Sequence, residues 1–106
     1  MRRWGLVFCL APVLGFAQTP DGKQIVLHGN GQGAMPCAAC HGANGQGNSS
    51  IGAPALAGLP AGVIEADLAE IAQGSGGNAT MQFIAQALSP AEAQAVAAYF
   101  AGLPKP

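Results

Sequence analysis

The chain has 106 residues with 4 lysines and arginines against 5 aspartates and glutamates, and charged side chains make up 8% of it, where soluble domains average about 25%. A nucleic-acid partner is excluded, because Arg2, Arg3, Lys23 and Lys105 cannot build the basic surface that gripping phosphates requires. The length allows one small domain, and the 16 glycines and 8 prolines follow no fixed period, which excludes collagen and simple solenoids. Hydrophobic residues reach 50%, but aromatics only 6%, so the protein alone makes a thin core and something else is expected to fill the interior.

Met1 to Ala17 reads as an export signal: a basic start at Arg2 and Arg3, an apolar stretch from about Trp4 to Phe16, and the small-x-small ending Gly15-Phe16-Ala17. The stretch is short for a bilayer span, which needs about 20 residues. An uncleaved anchor tethering the same domain is the alternative, and Phe8 ahead of Cys9 argues against a lipoprotein. The expected organisation is a secretory signal over residues 1–17 and one domain over residues 18–106, with no stable membrane insertion after cleavage. Cleavage leaves Lys23 and Lys105 against Asp21, Glu65, Asp67, Glu70 and Glu92, a net charge of −3. A domain this small needs a disulfide, a metal or a cofactor as a staple, and only Cys37 and Cys40 remain to provide it.

The remaining elements read as helical. Thr19 is the expected cap of a first helix, with Pro20 at its first position and Gly29-Asn30-Gly31 as its stop. From Gly42 to Pro60 the chain is rich in Gly, Asn, Ser, Ala and Pro with no strand-like alternation, which predicts a loop wrapping something. Pro60 opens a helix whose Ile64, Leu68 and Ile71 form one apolar stripe, with Glu65, Asp67 and Glu70 mostly facing water and Gly74 as its end. A second loop over Ser75–Thr80 precedes a short helix from about Gln82 to Leu88. Ser89-Pro90-Ala91-Glu92 is a capping box with proline at the first helical position, and Val96, Tyr99, Phe100 and Leu103 give the last helix its apolar face.

The chemistry sits at Cys37-Ala38-Ala39-Cys40-His41. On one helical turn, positions i, i+3 and i+4 share a face. Two thiols so placed can each add to a haem vinyl group while the histidine nitrogen reaches the iron, which is the haem c attachment pattern. A thioredoxin-like dithiol shares C-x-x-C but belongs beside a βαβ unit that is missing here. A zinc site lacks a fourth ligand beyond His28, and a structural disulfide would make the adjacent His41 a coincidence. Elimination points to Met81 as the second axial ligand: Met1 leaves with the signal, and Met35 is tied to the attachment side. Met81 as ordinary core filler is the competing reading, and His28, expected as an exposed helical histidine, is the rival ligand.

Taken together the chain resembles the small bacterial class I c-type cytochromes over Asp21 to Leu103. The resemblance rests on Gly22 and its helix, on Cys37-Ala-Ala-Cys-His-Gly-Ala-Asn-Gly-Gln-Gly, and on Gly52-Ala53-Pro54-Ala55-Leu56. It extends through Met81-Gln-Phe-Ile-Ala85, Leu88-Ser89 and Ala97-Ala-Tyr-Phe100. It implies an all-α class I cytochrome c fold, three main helices and loops around one haem c bound through Cys37 and Cys40. His41 would be the proximal ligand and Met81 the distal one, the Pro54 carbonyl would accept from the other His41 nitrogen, and Gly22 would let the first helix cross the last near Tyr99. The family's tryptophan or arginine beside the haem propionates is missing after residue 17, which leaves Asn78, Gln73 and backbone amides as candidates there.

A His/Met iron has no vacant position for substrate, and the soft thioether raises its potential. The expected function is therefore one-electron transfer in the periplasm, without enzymatic activity of its own. The partners would be a redox donor and acceptor, such as a dehydrogenase, a cytochrome complex or a terminal oxidase, and the protein itself a monomer. A haem subunit of a dehydrogenase or oxidase complex is the alternative, and a sensor or peroxidase-like protein with an open distal site a third. Few charges predict weak steering and a largely apolar contact ring.

Overall fold

The computed structural model describes residues 19–106; the expected signal over residues 1–17 lies outside them. Among the described residues the elements are α1 (Gly22–His28), α2 (Ala38–His41), α3 (Ala61–Ala72), α4 (Ala79–Ala87) and α5 (Pro90–Ala101), with a 3-10 turn at Ser49–Ile51. No strand is present among the described residues, where the β-type pairing is one isolated bridge between Asn48 and Ala53. The all-α fold expected from the sequence is the one observed.

Local chemistry sets the helix boundaries, in two places differently from the expectation. Helix α1 is capped by Asp21, whose carboxylate accepts from the Gln24 N–H at 3.3 Å, instead of by Thr19. A carboxylate at the positive end of a helix satisfies an orphan donor better than a threonine hydroxyl does. Helix α4 begins at Ala79, three residues before the expected start, because the Asn78 side chain accepts from the Met81 N–H at 2.8 Å. The capping box of α5 is present as expected, with the Ser89 hydroxyl bound to the Glu92 N–H and the Glu92 carboxylate to the Ser89 N–H.

Helix α5 is the spine. Helix α1 packs on one part of it, α3 on another, and α4 against α3. The core where they meet is Ile25 and Val26 of α1, Ile64 of α3, and Val96, Ala97 and Phe100 of α5. Val26 and Phe100 are wholly enclosed, and burial of each side chain stabilises the fold by about 1.5–3 kcal/mol. The α1–α5 crossing is as close as it is because Gly22 has no side chain: a Cβ there would overlap the Ala95 carbonyl oxygen and sit 3.2 Å from the Tyr99 Cβ. This is the crossing near Tyr99 that the resemblance implies. The core is small, and the space it leaves unfilled is where the functional residues gather.

Candidate functional site

The first wall of this space is α2 and the loop behind it. Pro36 and Cys37 start the turn, the His41 N–H donates to the Cys37 carbonyl at 2.9 Å, and Gly42 ends it. Cys37 and Cys40 are unpaired, half-buried thiols, and burial pushes the Cys37 thiol above its ordinary range. His41 is the one buried polar side chain among the described residues, 6% exposed. Its Nδ1 lies 2.8 Å from the Pro54 carbonyl oxygen, so Nδ1–H donates there. Nε2 is then left without a hydrogen-bond partner among the described residues.

The Gly42–Pro60 segment is shaped to present that carbonyl. The Gly47 N–H donates back to the His41 carbonyl, and Asn48 and Ala53 exchange two hydrogen bonds that close the loop just before Pro54. The Gly45 carbonyl accepts from both Leu56 and Ala57. Gly45 itself sits at φ +68°, with space for a Cβ blocked by Phe100 Cδ1 at 2.9 Å and Ala57 N at 3.0 Å. The glycines that read as a loop in the sequence are thus required where the chain folds back beneath the histidine.

The second wall is α4. Met81 lies in its first turn, half-buried, its N–H held by the Asn78 cap. The sequence offered Asn78 as a propionate candidate. Its carbonyl oxygen is engaged in the cap, although the residue does line the cavity. Asn three residues before Met81 is a cap signal that a sequence reading can use. Gln73, the other side chain offered, caps the C-terminal end of α3 and is not part of the cavity wall.

Between the walls lies a cavity of about 820 Å³, lined by residues that include Cys37, Cys40, His41, Pro54 and Met81. Pockets for organic ligands run to roughly 300–1,000 Å³. The rest of its lining is mainly aliphatic; its polar side chains besides the cysteines and histidine are Asp67, Asn78 and Thr80. Cys37, Cys40, His41, Pro54 and Met81, the residues expected to attach or ligate the group, are all brought to this one space. His28 is not: it is exposed at the end of α1. Met35 does line the cavity, from the attachment side, and is 43% exposed.

The chemistry of the space fits a haem. Two thiols one turn apart, a buried imidazole whose Nε2 has no partner, and a thioether on a separate helix all border one apolar cavity. A zinc ion finds no group of three His, Cys, Asp or Glu ligands among the described residues. No helix among them is long and apolar enough to cross a membrane.

An all-α fold closed around such a cavity defines a haem protein of the c type. Comparison with known proteins agrees, since a family model described as cytochrome c matches residues 21–104, and the chain belongs to the cytochrome c family. As a member it is an electron-transfer protein with haem c attached covalently through Cys37 and Cys40. It is 41% identical over 105 residues to a thiosulfate dehydrogenase electron acceptor of Stutzerimonas stutzeri (strain A1501), covering 97% of this chain and 49% of that protein. Among solved structures it is similar to reduced recombinant cytochrome c4 from Pseudomonas stutzeri, with a TM-score of 0.72 and 31% identity over 78% of this chain and 46% of that one. It is also similar to thiosulfate dehydrogenase (TsdBA) from Marichromatium purpuratum, with a TM-score of 0.75 and 30% identity over 79% of this chain and 18% of that one. The chain thus spans about half or less of the length of the curated relatives it matches.

Proposed function

We propose that this chain is a monomeric, single-haem electron carrier of the periplasm, with His41 and Met81 as the axial ligands of its iron, and that it accepts electrons from a thiosulfate dehydrogenase. In this reading residues 1–17 are the export signal and residues 18–106 the cytochrome domain. The observation that carries the ligand assignment is the convergence of a half-bonded buried imidazole and a thioether on one apolar cavity. The partner rests on the names of the relatives.

Haem c supplies a one-electron couple. The protein's own residues decide how that couple behaves. Pro54 keeps the proton on Nδ1 of His41, which reserves Nε2 for the metal and raises the basicity of the ring. Met81 would supply the second protein ligand, and its soft sulfur would favour the reduced state. Two protein ligands would leave no iron position for substrate, and the lining around them is mainly aliphatic. Met35 and Ile51 line the cavity and are 43% and 54% exposed. They form part of an apolar contact ring, in which Asp67 is the one charged residue of the lining among the described residues.

The test is reduction of the ferric holoprotein by a thiosulfate dehydrogenase supplied with thiosulfate, followed by stopped-flow absorbance at several salt concentrations. The reading expects rapid reduction whose rate changes by less than about threefold across the range, since few charges steer the encounter. No reduction, or a rate that falls steeply with salt, contradicts it. A second reading, a stable haem subunit, is favoured by the match to a portion of TsdBA and would appear as stoichiometric co-purification with a large dehydrogenase subunit.

A further inference from the structure

Asn30 belongs to the glycine-rich stretch that the sequence reading treats only as a helix stop. In the structure its side chain uses every hydrogen-bonding position a carboxamide has. Its Oδ1 accepts from the Gln32 N–H at 2.9 Å and the Ala34 N–H at 3.0 Å, shaping the loop that runs directly into Met35, Pro36 and Cys37. Its Nδ2 donates to the Ala87 carbonyl at 2.8 Å and to the Glu92 carboxylate at 3.1 Å. Ala87 is the last residue of α4, where carbonyls lack partners inside the helix, and Glu92 belongs to the capping box of α5.

These two bonds cross 57 and 62 positions of sequence, the widest of any side-chain hydrogen bonds among the described residues. The first joins the segment leading into the attachment turn to the far end of the helix whose first turn carries Met81, and the second joins it to the start of α5, which follows that helix directly. The loop also lies close on that helix. A Cβ on Gly33 would be 3.2 Å from the Ala87 Cβ and 3.8 Å from the Phe83 ring. Helix α4 is therefore held at one end by its own cap, Asn78, and at the other by a side chain from the attachment side.

We propose that Asn30 is a positioning residue that ties the haem-attachment wall to the methionine-bearing helix and so sets how readily Met81 leaves the iron. The inference rests on Met81 being the distal ligand. It assigns Asn30 no contact with the haem; the residue acts through the placement of α4.

Asn30→Asp separates the two halves of the role. An aspartate keeps the acceptor for Gln32 and Ala34 but replaces the donor by a carboxylate facing the Ala87 carbonyl and Glu92. The readout is the rate at which carbon monoxide binds the ferrous holoprotein without denaturant, since a sulfur that stays bound blocks it. Global stability is measured separately by guanidinium unfolding, with Val26→Ala, a core change outside the cavity lining, as the reference for general destabilisation. Asn30→Asp, which loses both donor bonds, one of them charge-assisted, is expected to bind carbon monoxide at least about tenfold faster than the parent protein. Val26→Ala is expected to stay within about twofold of the parent even where it unfolds more easily, because it leaves the bridge in place.

Glu92→Ala, which removes one of the two acceptors, is expected to lie between Asn30→Asp and the parent protein, and it serves if Asn30→Asp does not load haem. Rates that track unfolding stability across all variants, or an Asn30→Asp or Glu92→Ala rate equal to the parent, overturn the inference. Failure of the underlying ligand assignment looks different: Met81→Ala would then bind carbon monoxide no faster than the parent protein.

Discussion

The two walls of the cavity are built on different principles. On the attachment side, His41 is 6% exposed, its ring is fixed by Pro54, and its backbone is locked by Gly47 and by the folded-back loop over Gly45. On the other side Met81 is half-buried in the first turn of α4, after the exposed stretch 73–80, and its backbone is held by one carboxamide. The first wall derives its order from many short-range backbone bonds; the second depends on a cap and on distant tethers. Changes to the first wall should therefore register as lost stability, and changes to the second as altered behaviour of the iron in a protein that still folds.

The largest expected effect on stability follows from Gly45→Ala. Overpacking against Phe100 and Ala57 and a forced left-handed residue together cost about 2–4 kcal/mol, read as a lower guanidinium midpoint of the holoprotein. The spectrum of the fraction that remains folded should be unchanged. Asn78→Ala removes the cap beside Met81. It should cost about 1 kcal/mol and, unlike Gly45→Ala, should weaken the thioether-to-iron absorption band at neutral pH. If the two variants alter stability and spectrum in the same proportion, the distinction between the walls fails.

The smallest effect concerns Glu92. Hydrogen bonds from the Ser89 backbone N–H, first, and from the Asn30 carboxamide hold its carboxyl below the usual glutamate range. A folded-state value below the unfolded one means that the charge contributes stability fully above about pH 4.3. That contribution disappears as pH falls through the lower folded-state value. Thermal unfolding of the parent protein and Glu92→Gln should differ slightly at neutral pH and converge in acid; a gap that widens in acid would reverse the sign of the argument.

The attachment wall was far more legible in the sequence than the methionine wall. Cys37, Cys40 and His41 share one turn, so their spacing alone states what they can do together. The Ser89–Glu92 box and the Ile64, Leu68, Ile71 stripe are equally local, and both elements form where expected. Helix α4 starts earlier than read because an asparagine after two glycines looks like more loop until its side chain is seen to accept from Met81. Asp21 displaces Thr19 for a related reason, two acceptors separated by one proline competing for one helix end. Asn30 was unreadable as a tether, since its partners Ala87 and Glu92 become neighbours only after α4 and α5 pack. Local signals placed the chemistry, and non-local packing decided how firmly each part of it is held.

The assignment of the iron's two protein ligands is tested by the absorption spectrum of the ferric holoprotein, recorded for the parent chain and for Met81→Ala at neutral pH. The parent should show the weak red band of sulfur bound to iron, and the substituted protein should keep its covalent haem and its helical content while losing that band. A band that persists without Met81, or one missing from the parent protein, would contradict the account.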